Sequence, residues 1–539
     1  MTMINKNIKE VLETISRRKS VIFSFPDEQK KMTGEELFKK VKEVEVALVG
    51  LRLKKGDHIG LLMENRSEWI LLALAAGALG IVIVPINVEV SERSLSYFVE
   101  KGKIKALFCS AEYKEGTLVK IVEKLFYENQ KFSKIESIFI AETNGYYNIG
   151  KNWGQFMREN EDILFSELPI DSNETWIMHF TSGTTALPKA VPISQFSALN
   201  VAISYGEILR LNDNDIILQV LPYFHCIGSI LGVLPSILFE NKTIILKKFE
   251  PTKAVEYLIK EMCTVILGVP TIFLSMINCP NYNSEKTNFL RIVGIGGVGC
   301  PSKIFDLLSR KFPYSKIMCA YGLTETSSMI LAPALEDDYH TCKNSVGRPI
   351  EGIDLKIDYQ SSKKSGELLV KGYCVLKSYI DDDDCTRKSI DSKGWFHTGD
   401  VAQYTENGCV KILGRMNDMI EKAGEKISPQ EVEAALYEVI DNTNICVIGV
   451  PDSKYGEEII AFVEMSQAEK IRRKIIDEYD EINEKILEKI MKFELPKFIV
   501  FVSEFPRTQS GKIRKGELRK FFEKGKTDKI IFNEKQILD

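Results

Sequence analysis

Between residue 57 and about residue 320 short apolar runs alternate with amphipathic stretches. HIGLLM, GIVIVPI, KALFCS and SIFIAE come first, then DIILQVLP, KTIIL, CTVILGV and RIVGIGG. Apolar runs of this length, spaced by helical periodicity, predict parallel sheets covered by helices. From about 345 to 413 the pattern changes to strands and turns, GIDLKID, GELLVKG and CVKILG, and predicts a small β-rich unit. After Gly414 a second α/β pattern begins with NICVIGV and IIAFVEM. The lysine and glutamate run at 469–492 that follows reads as a solvated helix face. The expected fold class is therefore α/β. A large N-terminal domain of helix-covered sheets (1–414, its β-rich subdomain at about 345–414) is joined by a hinge at 415–417 to a small, mobile C-terminal α/β domain (418–539). A junction of so few residues suits a hinge better than a tether.

One run competes for a membrane reading. Residues 69–86, WILLALAAGALGIVIVPI, carry no charge and reach the length of a spanning helix. Gly77 and Gly80 divide the run, however, and IVIVP turns β-branched, so a helix followed by a buried strand is expected, with no membrane span. The N-terminal MTMINKNIKEVLETISRRKS lacks the apolar core of a secretory signal, and its alternating charges predict an exposed helix.

Composition narrows the classes further. At 539 residues, 44% hydrophobic and 27% charged, with a net charge of -4, the chain has the make-up of a multidomain globular protein. No basic stripe marks a nucleic-acid footprint. Its 11 cysteines are scattered without a C-x-x-C pair, and 5 histidines are too few to complete zinc sites. Reduced thiols in a cytoplasmic protein are expected.

The stretch TSGTTALPKAVPIS at 181–194 follows a short apolar strand at 176–180 and concentrates hydroxyls, one glycine and a lysine. Converging backbone N–H groups and a movable cation make a phosphate cradle. Pro188 before Lys189 excludes a Walker A loop. A second cluster, GIGGVG at 294–299, fits G-x-G-x-x-G after a strand and before a helix beginning near Pro301. That admits a dinucleotide-binding alternative, although the acidic residue expected about twenty positions on is missing, Glu325 lying inside a loop.

Order along the chain weighs against that alternative. The loop is followed by LPYFHCIG (221–228), GGVG (296–299), YGLTET (321–326), GEL (366–368), GWFHTGD (394–400), GRMNDMIEKAGEKISPQEVE (414–433) and PRTQSGKIRK (506–515). The series resembles the adenylate-forming superfamily of acyl-CoA synthetases, firefly luciferase and peptide synthetase adenylation domains, most of all an acyl-CoA ligase. The likeness runs from GDHIGLLMENRSEW at 56–69 to Lys515.

The resemblance implies two half-reactions. A carboxylic acid attacks the α-phosphate of ATP to give an acyl-adenylate and pyrophosphate, and a thiol then takes the acyl group. It implies that Thr181, Ser182, Gly183, Thr184, Thr185 and Lys189 wrap the β- and γ-phosphates, where preorganised donors stabilise the leaving pyrophosphate. Glu325 would hold Mg2+, Thr324 would touch the α-phosphate, and Tyr321 would stack on adenine beside Gly296, Gly297 and Val298. Asp400 and Arg415 would hold the ribose. Lys512 is similar to the family's catalytic lysine and His225 to its gate near the acyl carbonyl. Gly424 matches the glycine that approaches the pantetheine thiol.

Departures from the pattern are Ala186 and Ala190 for glycines, Gln195 for a histidine, and Asn417 for the charged hinge residue. If 186 or 190 needs a positive φ, alanine weakens ATP binding. Gly322 occupies the position where acetyl- and propionyl-activating relatives carry a pocket-blocking tryptophan, which implies a deeper acyl pocket. His225 replaces the aspartate that binds an α-amine in amino-acid adenylation domains. With Cys226, Gly228, Val298, Cys319 and Ala320 the wall would be small and apolar, fitting a medium-chain or aryl carboxylate. CoA is the expected acceptor, with the phosphopantetheine of a separate carrier protein as the alternative.

Overall fold

A computed structural model describes residues 3–112, 118–128, 132, 135–142, 147–159, 169–181, 188–297, 299–359, 364–440, 444–464, 478–507, 513–523, 529–531 and 536–538. All eight apolar runs between 57 and 320 are strands, and they divide between two seven-stranded sheets. One has the order Lys151–Asn152, Ser137–Ile140, Ile104–Cys109, His58–Leu62, Val82–Pro85, Thr175–Phe180, Ala190–Ser194. The other has the order Lys316–Cys319, Ile292–Ile295, Val265–Gly268, Ile216–Gln219, Lys242–Ile245, Val21–Phe25, Lys30–Thr33. In both sheets only the last pair is antiparallel. The parallel strands are buried on both faces, which is why they read as continuous apolar runs rather than alternating ones. Ile59, Leu61 and Ile83 face a core shared with the second sheet, while Leu62, Val82, Val84 and Leu107 face a separate one.

The uncharged run at 69–86 becomes helix Ser67–Leu79, a left-handed Gly80 (φ 68°), then strand Val82–Pro85. Its helix is buried almost all round and packs within the main core. Among the described residues no helix is long and apolar enough to cross a membrane.

The N-terminal helix departs from expectation. Ile8–Thr14, capped by a box between Asn7 and Glu10, buries Ile8, Val11 and Leu12, with Ile15 just after it. The helix packs on the core instead of standing exposed, because those apolar positions lie three and four apart and form one face.

Strands Ile353–Asp358, Gly366–Gly372, Phe396–Tyr404 and Val410–Arg415 make a four-stranded antiparallel sheet, the β-rich unit expected. A one-turn 3-10 segment, Met416–Asp418, leads to a smaller C-terminal domain. There a nine-residue hairpin, Asn444–Asp452 with Gly456–Glu464, pairs with Phe498–Val502 over the domain's own cores.

Candidate active site

Several candidate residues follow the C-terminal ends of parallel strands, where open α/β sheets leave a crevice for ligands. Ile216–Gln219 leads to the 221–226 loop, Ile292–Ile295 to Gly296 and Gly297, and Lys316–Cys319 to Tyr321, Thr324 and Glu325. From the other sheet, Thr175–Phe180 and Ala190–Ser194 form the stem of the 181–189 loop. The stem is closed by Thr181 N–H donating to Lys189 O at 3.0 Å and Lys189 N–H donating to Thr181 Oγ1 at 3.3 Å. Ser182, Gly183, Thr184, Thr185, Ala186, Val298 and Lys512 lie outside the described residues.

Asp400 stands opposite Arg415 in adjacent strands and is buried. Its Oδ1 is 3.0 Å from Arg415 Nε, and its Oδ2 accepts from the Tyr321 hydroxyl at 2.5 Å. Arg415 is further fixed by Nη1 donating to Thr398 O at 2.9 Å. Burial and the neighbouring Asp400 carboxylate push the Tyr321 phenol well above its ordinary pKa, so it stays a donor.

Lys189 and Glu325 are joined through a residue that no motif singles out. Tyr379 donates to Glu325 Oε1 at 3.0 Å, accepts from Lys189 Nζ at 3.3 Å, and places its ring 4.4 Å beneath that ammonium. Glu325 sits in a 3-10 turn, Thr324–Thr326, followed by two non-glycine residues at positive φ, Ser327 (56°) and Ser328 (100°). Such backbone costs on the order of 1–3 kcal/mol per residue and is held here by burial and by Ser327 Oγ donating to Cys374 O at 2.8 Å.

On the acyl side, His225 packs its ring on Phe224, centroids 4.6 Å apart, and Cys226 Sγ lies 3.8 Å from Thr324 Oγ1. Gly297 adopts φ 78°, and a Cβ there would lie 3.4 Å from Ile227 Cδ1, while Cys226 and Cys319 are buried. At Gly322 a Cβ would meet Ser328 O at 2.0 Å, so main chain closes the wall there.

Two buried side chains fix the 221–226 loop. Asn65 donates to Leu221 O at 2.9 Å and accepts from Tyr223 N–H at 2.8 Å. His179 contacts Phe224 O at 3.1 Å and Ser229 Oγ at 2.9 Å through its two ring nitrogens. Its pKa is pushed down to about 3 by burial, with His225 adding to the effect, so the ring is neutral.

Two of the departures can be placed in the fold. Ala190 is an ordinary strand residue without positive φ, so no strain arises there. Gln195 is buried away from the loop, accepting from Ile8 N–H at 2.7 Å and donating to Gly77 O at 2.9 Å. Gly424 is exposed in a hairpin with nothing within 4 Å of a Cβ position.

The site thus combines, on an α/β fold, a buried carboxylate beside an aromatic ring with a lysine and a glutamate joined through one tyrosine. Residues 11–380 match the family model described as AMP-binding enzyme and residues 431–512 that of its C-terminal domain. The chain belongs to the AMP-binding enzyme family. It is similar to YngI of Bacillus subtilis (strain 168), whose name marks it as an inferred acyl-CoA synthetase, at 29% identity over 96% of both chains. It is also similar to the human mitochondrial medium-chain acyl-CoA ligase ACSF2, at 28% identity over 96% of this chain and 88% of that one. ATP-bound MatB from Rhodopseudomonas palustris shares the fold, with a TM-score of 0.83 at 22% identity over 96% of this chain and 99% of that one.

Proposed function

We propose that the protein is an ATP-dependent ligase that converts a medium-chain or aryl carboxylic acid to its acyl-adenylate and passes the acyl group to the thiol of CoA. The observation that carries this reading is the pairing of Asp400, set between Tyr321 and Arg415, with Lys189 and Glu325 on one tyrosine. The curated relatives with acyl-CoA synthetase and ligase names, ACSF2 among them, align with nearly the whole chain and support the acid and the thiol. A structure of similar fold is titled as anthranilate CoA ligase AuaEII with anthranoyl-AMP, which supports the aryl option.

In this reading Tyr321 stacks on adenine, Asp400 and Arg415 hold the ribose, and Gly296, Gly297 and Val298 lie along the base. Thr181 to Thr185 and Lys189 bind the β- and γ-phosphates, and Thr324 meets the α-phosphate. Glu325 fits Mg2+: one oxygen is oriented by Tyr379, and Oε2 has no hydrogen-bond partner among the described residues. A single protein carboxylate plus substrate phosphates is a usual Mg2+ environment, and the ion when bound neutralises phosphate charge. The acid's oxygen bonds to the α-phosphorus as the bond to pyrophosphate breaks. Lys512, brought by the C-terminal domain turning at a hinge over 415–417, offsets the charge at that centre. The domain boundary at 414 to 418, the mobility of residues 418–539, and the approach of Gly424 to the CoA thiol belong to the same reading. Among the described residues the cysteines form no disulfide, which supports a reducing compartment such as the cytoplasm.

Mass spectrometry after incubation with ATP, Mg2+, CoA and a mixed carboxylate library tests the whole reading. It should detect AMP together with the CoA thioester of a medium-chain or aryl acid. Turnover with a pantetheinylated carrier protein but not with CoA would move the acceptor, and no adenylate with any acid would overturn the assignment.

A further inference from the structure

Tyr379 is 3% exposed yet lies between the two charged side chains assigned to the triphosphate end of the site. The main chain around it is stitched to both of their elements. Leu376 N–H donates to Glu325 O at 2.8 Å, Ile380 N–H donates to Ala190 O at 3.1 Å, and Tyr379 N–H donates to Thr386 Oγ1 at 3.0 Å. Its ring therefore cannot shift without disturbing the Glu325 turn or the strand that begins beside Lys189. Its hydroxyl completes a directed chain in which the ammonium donates to the phenol oxygen and the phenol donates to the carboxylate. Each bond in such a chain polarises the next.

We propose that Tyr379 is a positioning residue for adenylation, whose phenol holds the Lys189 ammonium and the Glu325 carboxylate at a fixed separation for an incoming magnesium–triphosphate group. This rests on the reading of the site as an ATP site. A direct lysine–carboxylate ion pair would bury both charges in each other and would have to break before either could meet the nucleotide. A neutral bridge keeps them apart, with the ammonium resting on a ring face. The phenol is an uncharged group that can accept from the ammonium and donate to the carboxylate at once, which is the arrangement seen. A tyrosine that only fills space would need its ring and not its hydroxyl.

Tyr379→Phe separates those roles, because it keeps the ring under Lys189 and removes one oxygen. Calorimetric titration with ATP, with and without Mg2+, should show affinity for MgATP weakened by about tenfold, in the range typical of lost outer-shell partners. Affinity for metal-free ATP should fall by less. Half-saturating Mg2+ in pyrophosphate exchange should rise by a similar factor. The step from preformed acyl-adenylate to thioester, which has no triphosphate, should lose much less. In a Glu325→Gln background the same substitution should cost less MgATP affinity than it does alone, since part of its effect runs through that carboxylate. MgATP affinity and Mg2+ dependence equal to wild type would overturn the proposal, as would equal losses in both half-reactions with a lowered thermal midpoint, or full additivity with Glu325→Gln. Wild-type protein that binds no ATP would overturn the underlying site reading itself, a separate result visible before any variant is made.

Discussion

Asp400 and Arg415 face each other across adjacent antiparallel strands, with Arg415 Nε 3.0 Å from a carboxylate whose other oxygen is taken by Tyr321. The buried charge is thus compensated before any nucleotide arrives, and a ribose would meet an acceptor already oriented. Asp400→Asn keeps the shape but loses the charge. Charge-assisted hydrogen bonds are worth about 1.5–3 kcal/mol each, so the KM for ATP should rise by roughly tenfold to a hundredfold. Pyrophosphate exchange against ATP concentration measures it, and an unchanged KM would remove Asp400 from the nucleotide site.

His179 makes a prediction about acid stability. Its ordinary pKa of 6.5 falls to about 3 in the folded chain. Between those values the unfolded chain binds a proton that the folded one refuses, so stability falls as pH drops below about 6.5, by about 1.4 kcal/mol per unit for this group. Glutamine at 179 keeps a donor and an acceptor but does not titrate. Between pH 6.5 and pH 5, wild type should lose about 2 kcal/mol more than His179→Gln in denaturant unfolding. Parallel losses would show that the ring does not titrate in this way.

What could be read before the structure follows from how local each signal is. The strands at 58–62 or 265–268 announce themselves because burial on both faces leaves an uninterrupted apolar run. Asp400, Tyr321 and Glu325 stood out through motifs, each carried within a few residues. Tyr379 had no such signal. It lies 190 residues from Lys189 and 54 from Glu325, in a stretch, SYIDDDD, that reads as a solvated turn. His179 was hidden inside an apolar strand, and its role depends on Ser229, 50 residues away. The stripe of Ile8, Val11, Leu12 and Ile15 was masked by the lysines and glutamates between its members.

Gly322 offers a steric test of the acyl wall. Because a Cβ would lie 2.0 Å from Ser328 O, Gly322→Ala forces main chain apart between Tyr321 and the strained Ser328. Overpacking of this kind costs about 1–3 kcal/mol. Urea unfolding should show that loss, and KM values for both ATP and the acid should rise together, since Tyr321, proposed above to stack on adenine, precedes the glycine. An alanine variant with wild-type stability and specificity would mean the turn adapts freely and does not shape the pocket.

Arg507 and Lys515, on either side of Lys512 in the sequence, are both anchored. Arg507 bridges to Ile513 through the backbone, and its Nη2 lies 2.8 Å from Glu464 Oε2. On the far side Lys515, its side chain only 23% exposed, donates to Val447 O at 3.2 Å and lies 3.7 Å from Glu433 Oε1. In the proposed reading Lys512 supplies the cation for adenylate formation, whereas Lys515 has a structural part. Lys512→Ala should therefore slow adenylate formation by about 10²–10³-fold, as for loss of one transition-state donor, while calorimetric ATP affinity and the unfolding midpoint stay near wild type. Lys515→Ala should do the reverse at first hand, leaving Glu433 and the Val447 carbonyl without their lysine and lowering stability by about 1–3 kcal/mol. If Lys512→Ala instead weakens folding and leaves pyrophosphate exchange intact, the cation for the first half-reaction must come from elsewhere.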